Sequence, residues 1–94
     1  MTDDDRRRAL SRLLAATARA HHEATGGENA SWPRWYAEQM EGRLDEILGI
    51  SPDLETVAAW LAAADDRYRG ESPDASWPSA YAAWIIEWAE AQRA

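Results

Sequence analysis

The stretch Ala30-Ser31-Trp32-Pro33-Arg34-Trp35-Tyr36-Ala37 returns forty-five residues later as Ala75-Ser76-Trp77-Pro78-Ser79-Ala80-Tyr81-Ala82, identical at six of eight positions. No other feature limits the fold as much. Proline lacks an N–H and has a fixed φ, so within a helical pattern it is tolerated only in the first turn. Pro33 and Pro78 therefore mark two helix starts. The residue before a proline avoids the α region, which places Trp32 and Trp77 at the boundary. With Ser31 or Ser76 as N-cap, the hydroxyl finds no amide on the proline and is expected to reach that of Arg34 or Ser79 instead. Each start carries a tryptophan plate that either clamps the incoming loop or lines a pocket at the end of a bundle.

Upstream, Gly27-Glu28 corresponds to Gly70-Glu71 at an offset of 43, so the second connecting loop is expected to be two residues longer than the first. Apolar stripes of period 3.6 fill the rest of the chain, and no segment alternates long enough to make a strand. They predict four helices. The first, about 5–24, puts Leu10, Leu13, Leu14, Thr17, Ala18 and His21 on one face, and the second, about 32–48, does so with Trp32, Trp35, Tyr36, Met40, Leu44 and Ile47. The third, about 52–68, buries Leu54, Val57, Ala58, Trp60 and Leu61, and the fourth, about 77–92, shows Trp77, Tyr81, Trp84, Ile85 and Trp88. Gly49 reads as a left-handed C-terminal stop. Ser51 reads as the next cap, with Pro52 as the first helical residue and Asp53 and Glu55 in a first turn that favours acids. The link at 49–51 is short enough to force an αα-hairpin. Two such hairpins, about 5–48 and 52–92, give an all-α four-helix bundle with pseudo-two-fold symmetry, as one domain over residues 1–94.

Composition excludes several function classes. Ninety-four residues can hold one core without staples, and the absence of cysteine removes disulfides and thiolate metal sites. No run approaches the roughly 18 apolar residues of a membrane span, and the start MTDDDRRRAL lacks the apolar segment of a secretory signal, so a cytoplasmic location is expected. The net charge is −7, and only residues 1–24 carry a basic excess, five arginines against four acids. Asp3/Arg7 and Asp4/Arg8 stand at i,i+4 and account for those arginines as ion pairs of about 0.2–0.5 kcal/mol each. A surface that is acidic elsewhere repels nucleic-acid backbones. Seventeen acids scattered among ten arginines read as a solvated surface rather than a mimic of DNA.

The run from His21-His22-Glu23 through Gly27-Glu28 to Trp32-Pro33-Arg34-Trp35-Tyr36-Ala37 resembles a motif of small acidic bacterial helical proteins with no established activity. The resemblance covers about 20 residues. It implies a helical module of bacterial type and nothing about mechanism. The second half departs from the motif, with Ala80 where the first has Trp35.

The polar candidates are few. His21 and His22 point about 100° apart on a helix and cannot chelate one metal together. His22, Glu23, Glu28, Asp65, Asp66 and Glu71 all flank the two Gly-Glu loops, and pseudo-symmetry would gather them into a site for a divalent cation with oxygen and imidazole ligands. The alternative is a set of solvated helix ends. The segment from Asp65 to Gly70 has the first and sixth residues of a calcium loop but Arg67 and Arg69 at its third and fifth, and fails as one. His21 lies on the apolar stripe, where a packed histidine is the ordinary case, and an acid–base role for His21 or Glu23 requires a pocket. The sequence holds no nucleophile elbow, phosphate loop or zinc motif.

Aromatic residues are the strongest signal. Six tryptophans without a phenylalanine are more indole than a 94-residue bundle can fully bury. Trp35 and Tyr36 on the second predicted helix, and Trp77, Tyr81, Trp84 and Trp88 on the fourth, form stripes of the residue types that dominate binding surfaces. Ile86 falls off the main stripe and suggests a second buried face. Together these point to a non-enzymatic interaction module that self-associates or binds a protein partner through its Trp-rich helices. The alternative is a small-molecule or divalent-metal binding protein with its pocket at the bundle end, formed by the two Gly-Glu loops; no cofactor is specified by the sequence.

Overall fold

The structure, a computed structural model, describes residues 2–26 and 31–93, of Arg93 the backbone alone. It is all-helical among these residues, with α1 Asp3–Thr25, α2 Trp32–Met40, α3 Arg43–Leu48, α4 Leu54–Glu71 and α5 Trp77–Arg93. No helix among them is long and apolar enough to cross a membrane.

Helix α1 begins two residues earlier than the periodicity predicts. The Thr2 hydroxyl accepts from the Asp5 amide at 3.2 Å while the Asp5 carboxylate accepts from the Thr2 amide at 3.2 Å, a capping box. Asp3, Asp4 and Asp5 therefore occupy the first turn, where the helix dipole favours them. The expected Asp3–Arg7 and Asp4–Arg8 ion pairs are not made. Asp4 instead meets Arg7 at 3.8 Å, and Arg6 crosses to Glu90 of α5 at 3.1 Å.

The second predicted helix is two helices. Glu41 turns extended at φ −53°, ψ 138°, and Gly42 at φ 87°, ψ −58° occupies backbone space costly to any residue with a Cβ. The buried stripe Met40, Leu44, Ile47 runs across this break, which is why periodicity alone carried the helix through it. Gly49 then ends α3 in the left-handed region, φ 73°, its N–H donating to the Asp45 carbonyl at 2.8 Å. The cap of α4 is Asp53 rather than Ser51: its carboxylate accepts from the Thr56 amide at 2.8 Å, and Pro52 stays outside the helix. At the other end α4 runs on through Gly70 and Glu71, which form its last turn instead of a loop. The connection 72–76 is consequently one residue shorter than 26–31, not two longer.

Packing follows the stripes. α1 lies against α5, α2 and α3, while α4 lies against α5 and α2. Leu10 and Leu14 of α1, Met40 of α2, Leu44 of α3, Leu61 of α4 and Ile85 of α5 are fully enclosed, so every helix puts at least one large side chain into one core. Truncating such a residue to alanine costs about 2–5 kcal/mol, a large part of a small domain's stability. Thr17 is buried too, and its hydroxyl donates to the Leu13 carbonyl at 2.7 Å, so burial leaves it no unmet donor.

Two glycines separate backbone strain from packing. An added Cβ would meet nothing within 4 Å at either Gly42 or Gly70, but only Gly42 has a positive φ. In urea unfolding, Gly42→Ala is expected to lose about 1–2 kcal/mol and Gly70→Ala to gain about 0.4–1 kcal/mol. The caps predict an acid limb. Hydrogen bonds from Thr56 hold the Asp53 carboxyl below its ordinary 3.8, and those from Thr2 do the same for Asp5. Their contribution is complete above pH 3.8 and is lost as pH falls through the lower folded values. Asp53→Asn keeps a cap but removes that proton uptake, so its stability profile below pH 4 is expected to be shallower in equilibrium melts.

Candidate aromatic site

In each repeat, the first helical residue is Trp and the fifth is Tyr, and i,i+4 places them on one face. Trp32 meets Tyr36 edge to face with ring centroids 5.1 Å apart, and Trp77 meets Tyr81 the same way at 5.0 Å. Both pairs line a single cleft of about 320 Å³. The remaining wall comes from α4, where Asp65, Tyr68 and Arg69 share one face at spacings of three and four.

The polar groups of the cleft are tied to one another. Tyr81 donates its phenol proton to Asp65 at 2.9 Å, and the other Asp65 oxygen pairs with Arg69 at 3.1 Å. The Asp65 side chain is 21 % exposed and that of Arg69 76 %. The acid is thus fixed in the wall while its cation reaches out to solvent. Tyr68 packs on Tyr81 with centroids 6.0 Å apart and donates to the Ala75 carbonyl at 3.0 Å, which holds the 72–76 connection on α4 just before Trp77. Burial, and after it the bond to Asp65 and its charge, push the Tyr81 phenol well above its ordinary 10. Burial also raises Tyr36. Both phenols stay protonated in neutral solution, so they serve as hydrogen-bond donors and ring surface rather than as bases.

The other aromatic positions singled out by periodicity lie elsewhere. Trp35 stands edge to face on His21 at 5.1 Å, Trp84 carries the Arg67 guanidinium 4.5 Å over its ring, and Trp88 is half-buried against the core. Ile86 is 5 % exposed within the single chain, so its second face is covered by the chain itself. Trp60 is also only half-buried.

Among the described residues, the polar side chains around the predicted loops are not gathered into one cluster. Glu28, with Gly27, lies outside the described residues. His22, Glu23 and Asp66 are exposed, Glu71 pairs with Arg67 at 2.6 Å, and Asp65 belongs to the cleft. Among the described residues no three His, Asp or Glu side chains converge as a metal ion requires. His21 is 7 % exposed, packed between Trp35 and Tyr36, and its Nε2 has no hydrogen-bond partner among the described residues. No hydrogen bond or ion pair joins it to Glu23 among those residues.

At the repeated helix starts, Ser31 is the N-cap but makes no side-chain capping bond, and the Ser76 hydroxyl meets the Ser79 hydroxyl at 3.2 Å rather than its amide. Tyr68, at the end of the third predicted helix, and Arg69, just past it, are not among the site residues expected from the sequence. The signal that locates them is the i,i+3,i+4 relation to Asp65, visible once Gly70 is taken as helical.

An alkaline titration followed by tyrosinate absorbance tests the cleft. Tyr36 and Tyr81 are expected to ionise late, above pH 10, and Tyr81→Phe to remove the latest component. Because their folded values are raised, their contribution to stability is whole below pH 10 and declines as pH rises from there through the folded values. Comparison with known proteins finds no matching family model, and neither a curated protein nor a solved structure matches the chain.

Proposed function

We propose that this chain is a non-enzymatic binding module whose site is the aromatic cleft between its two repeated helix starts. One observation carries the proposal: two Trp–Tyr pairs from sequence-distant halves meet at a cleft that also holds a half-buried carboxylate and the exposed guanidinium paired with it. The volume suits a molecule of modest size, at the lower end of ligand pockets. Rigid rings with a few oriented polar groups are the usual make-up of such pockets. The lining residues place no nucleophile beside an available base, since the Tyr81 phenol holds its proton and Asp65 is already engaged by Tyr81 and Arg69.

The pocket is therefore assigned to the Ser-Trp-Pro helix starts and the last turns of α4, as the described lining residues support. The same proposal takes the two halves as pseudo-repeats: each ends a long helix in a left-handed cap, at Gly26 and Ser72, and restarts with Trp-Pro. Contacts of α1 and α4 with both α2 and α5 fit a four-helix bundle in which α3 is an appendage of α2. Self-association through α5 has less support, because Ile86 is already buried and Trp84 lies under Arg67.

The test uses choline, benzoate and benzyl alcohol, titrated into the labelled protein while the indole N–H signals are followed by NMR. At least one is expected to shift Trp32 and Trp77 saturably, leaving Trp60 and Trp88 in place, and Trp77→Ala is expected to weaken that binding tenfold or more. Shifts confined to other tryptophans, or none that saturate, would overturn the proposal.

A further inference from the structure

The cleft is built around a negative charge. Asp65 is held in the wall by the Tyr81 phenol, and aromatic residues from α2, α4 and α5 line the same cleft. Ring faces are electron-rich and attract a desolvated cation within about 6 Å of their centroids. Among the described residues the only cation lining the cleft is Arg69, whose side chain is 76 % exposed and meets Asp65 through one oxygen. With its arginine end so exposed, the pair is screened by solvent and Arg69 can leave Asp65 at small cost. The rest of the protein works in the same direction, since a net charge of −7 concentrates cations at its surface.

The alternative, an anion on Arg69, is disfavoured at the helix starts. The N-terminal ends of α2 and α5 begin at the cleft with Trp32 and Trp77, and their dipoles alone would favour negative charge. The next residue of each is a proline, which removes one of the amide donors an anion would use.

We infer that the cleft takes an organic ammonium ion of the quaternary alkylamine type, seated among the rings with Asp65 as its counter-charge and Arg69 displaced into solvent. Arg69 thereby acts as an internal stand-in for the ligand and sets its affinity. The inference rests on the cleft being the binding site, and goes beyond it in naming the charge and class of the occupant.

Isothermal titration and indole NMR with choline and with its neutral isostere 3,3-dimethylbutan-1-ol test both. Choline is expected to bind at least tenfold more tightly than the alcohol. Asp65→Asn, which keeps an acceptor for Tyr81, is expected to abolish that difference. Arg69→Gln, at an exposed side chain, is expected to tighten choline binding several-fold, an effect that a purely structural role for the ion pair would not produce. Equal binding of choline and the alcohol at Trp32 and Trp77, or benzoate binding that is lost in Arg69→Gln, would overturn the cation while leaving the cleft as the site. No movement of Trp32 and Trp77 with choline, the alcohol or benzoate would overturn both.

Discussion

A proline one residue into each of two helices sets where a tryptophan stands and, one turn later, where a tyrosine meets its edge. That pairing, at 5.1 Å in α2 and 5.0 Å in α5, is local and needs nothing from the rest of the chain to be geometrically available. An edge-to-face pair adds about 0.5–1.5 kcal/mol beyond the area it buries. Because the tyrosines are buried and the tryptophans only half so, each pair spans from core to surface. Both tyrosines belong to the same core cluster as Leu61 and Ile85, and the two pairs line one cleft.

The half-burial of all six indoles follows from the same arrangement. Leucine, methionine, isoleucine and alanine side chains fill the centre, with Ala64, Ala82 and Ala89 enclosed, and the indoles pack half-buried against it, Trp84 at the seam between α5 and α4. Trp84 shows how a seam indole is stabilised without burial, since Arg67 covers its face and is itself held by Glu71. Arginine suits this use, its planar and weakly hydrated head stacking where a lysine would stay in water.

Much of this was legible in the residues. The buried faces of α1 and α5, from Leu10 to His21 and from Tyr81 to Ile85, follow the 3.6 period closely, and the prolines located both helix starts. The break at Gly42 was not, because Met40, Leu44 and Ile47 keep helical spacing across it and one glycine within such a stripe reads only as a local weakness. The cap at Asp53 was hidden for a different reason: Ser51 and Asp53 both suit a cap, and their side-chain geometry, not their type, decides between them. The cleft needed the tertiary arrangement. Its tryptophans and tyrosines stand out as a repeat, but Asp65 reads as one of the acids flanking the Gly-Glu loops, and Tyr68 and Arg69 join its face because α4 runs through Gly70.

The division of the cleft between the halves has a thermodynamic side. Trp32 and Tyr36 come from the first half of the chain and, among the described residues, the rest of the wall from the second, so either half alone would lack the opposing Trp–Tyr pair. The cavity is a property of the closed chain and vanishes whenever α2 detaches from α4. Any molecule that occupies it therefore binds the joined state and not the parted one, and by mass action acts as a fastener between the two halves of the chain.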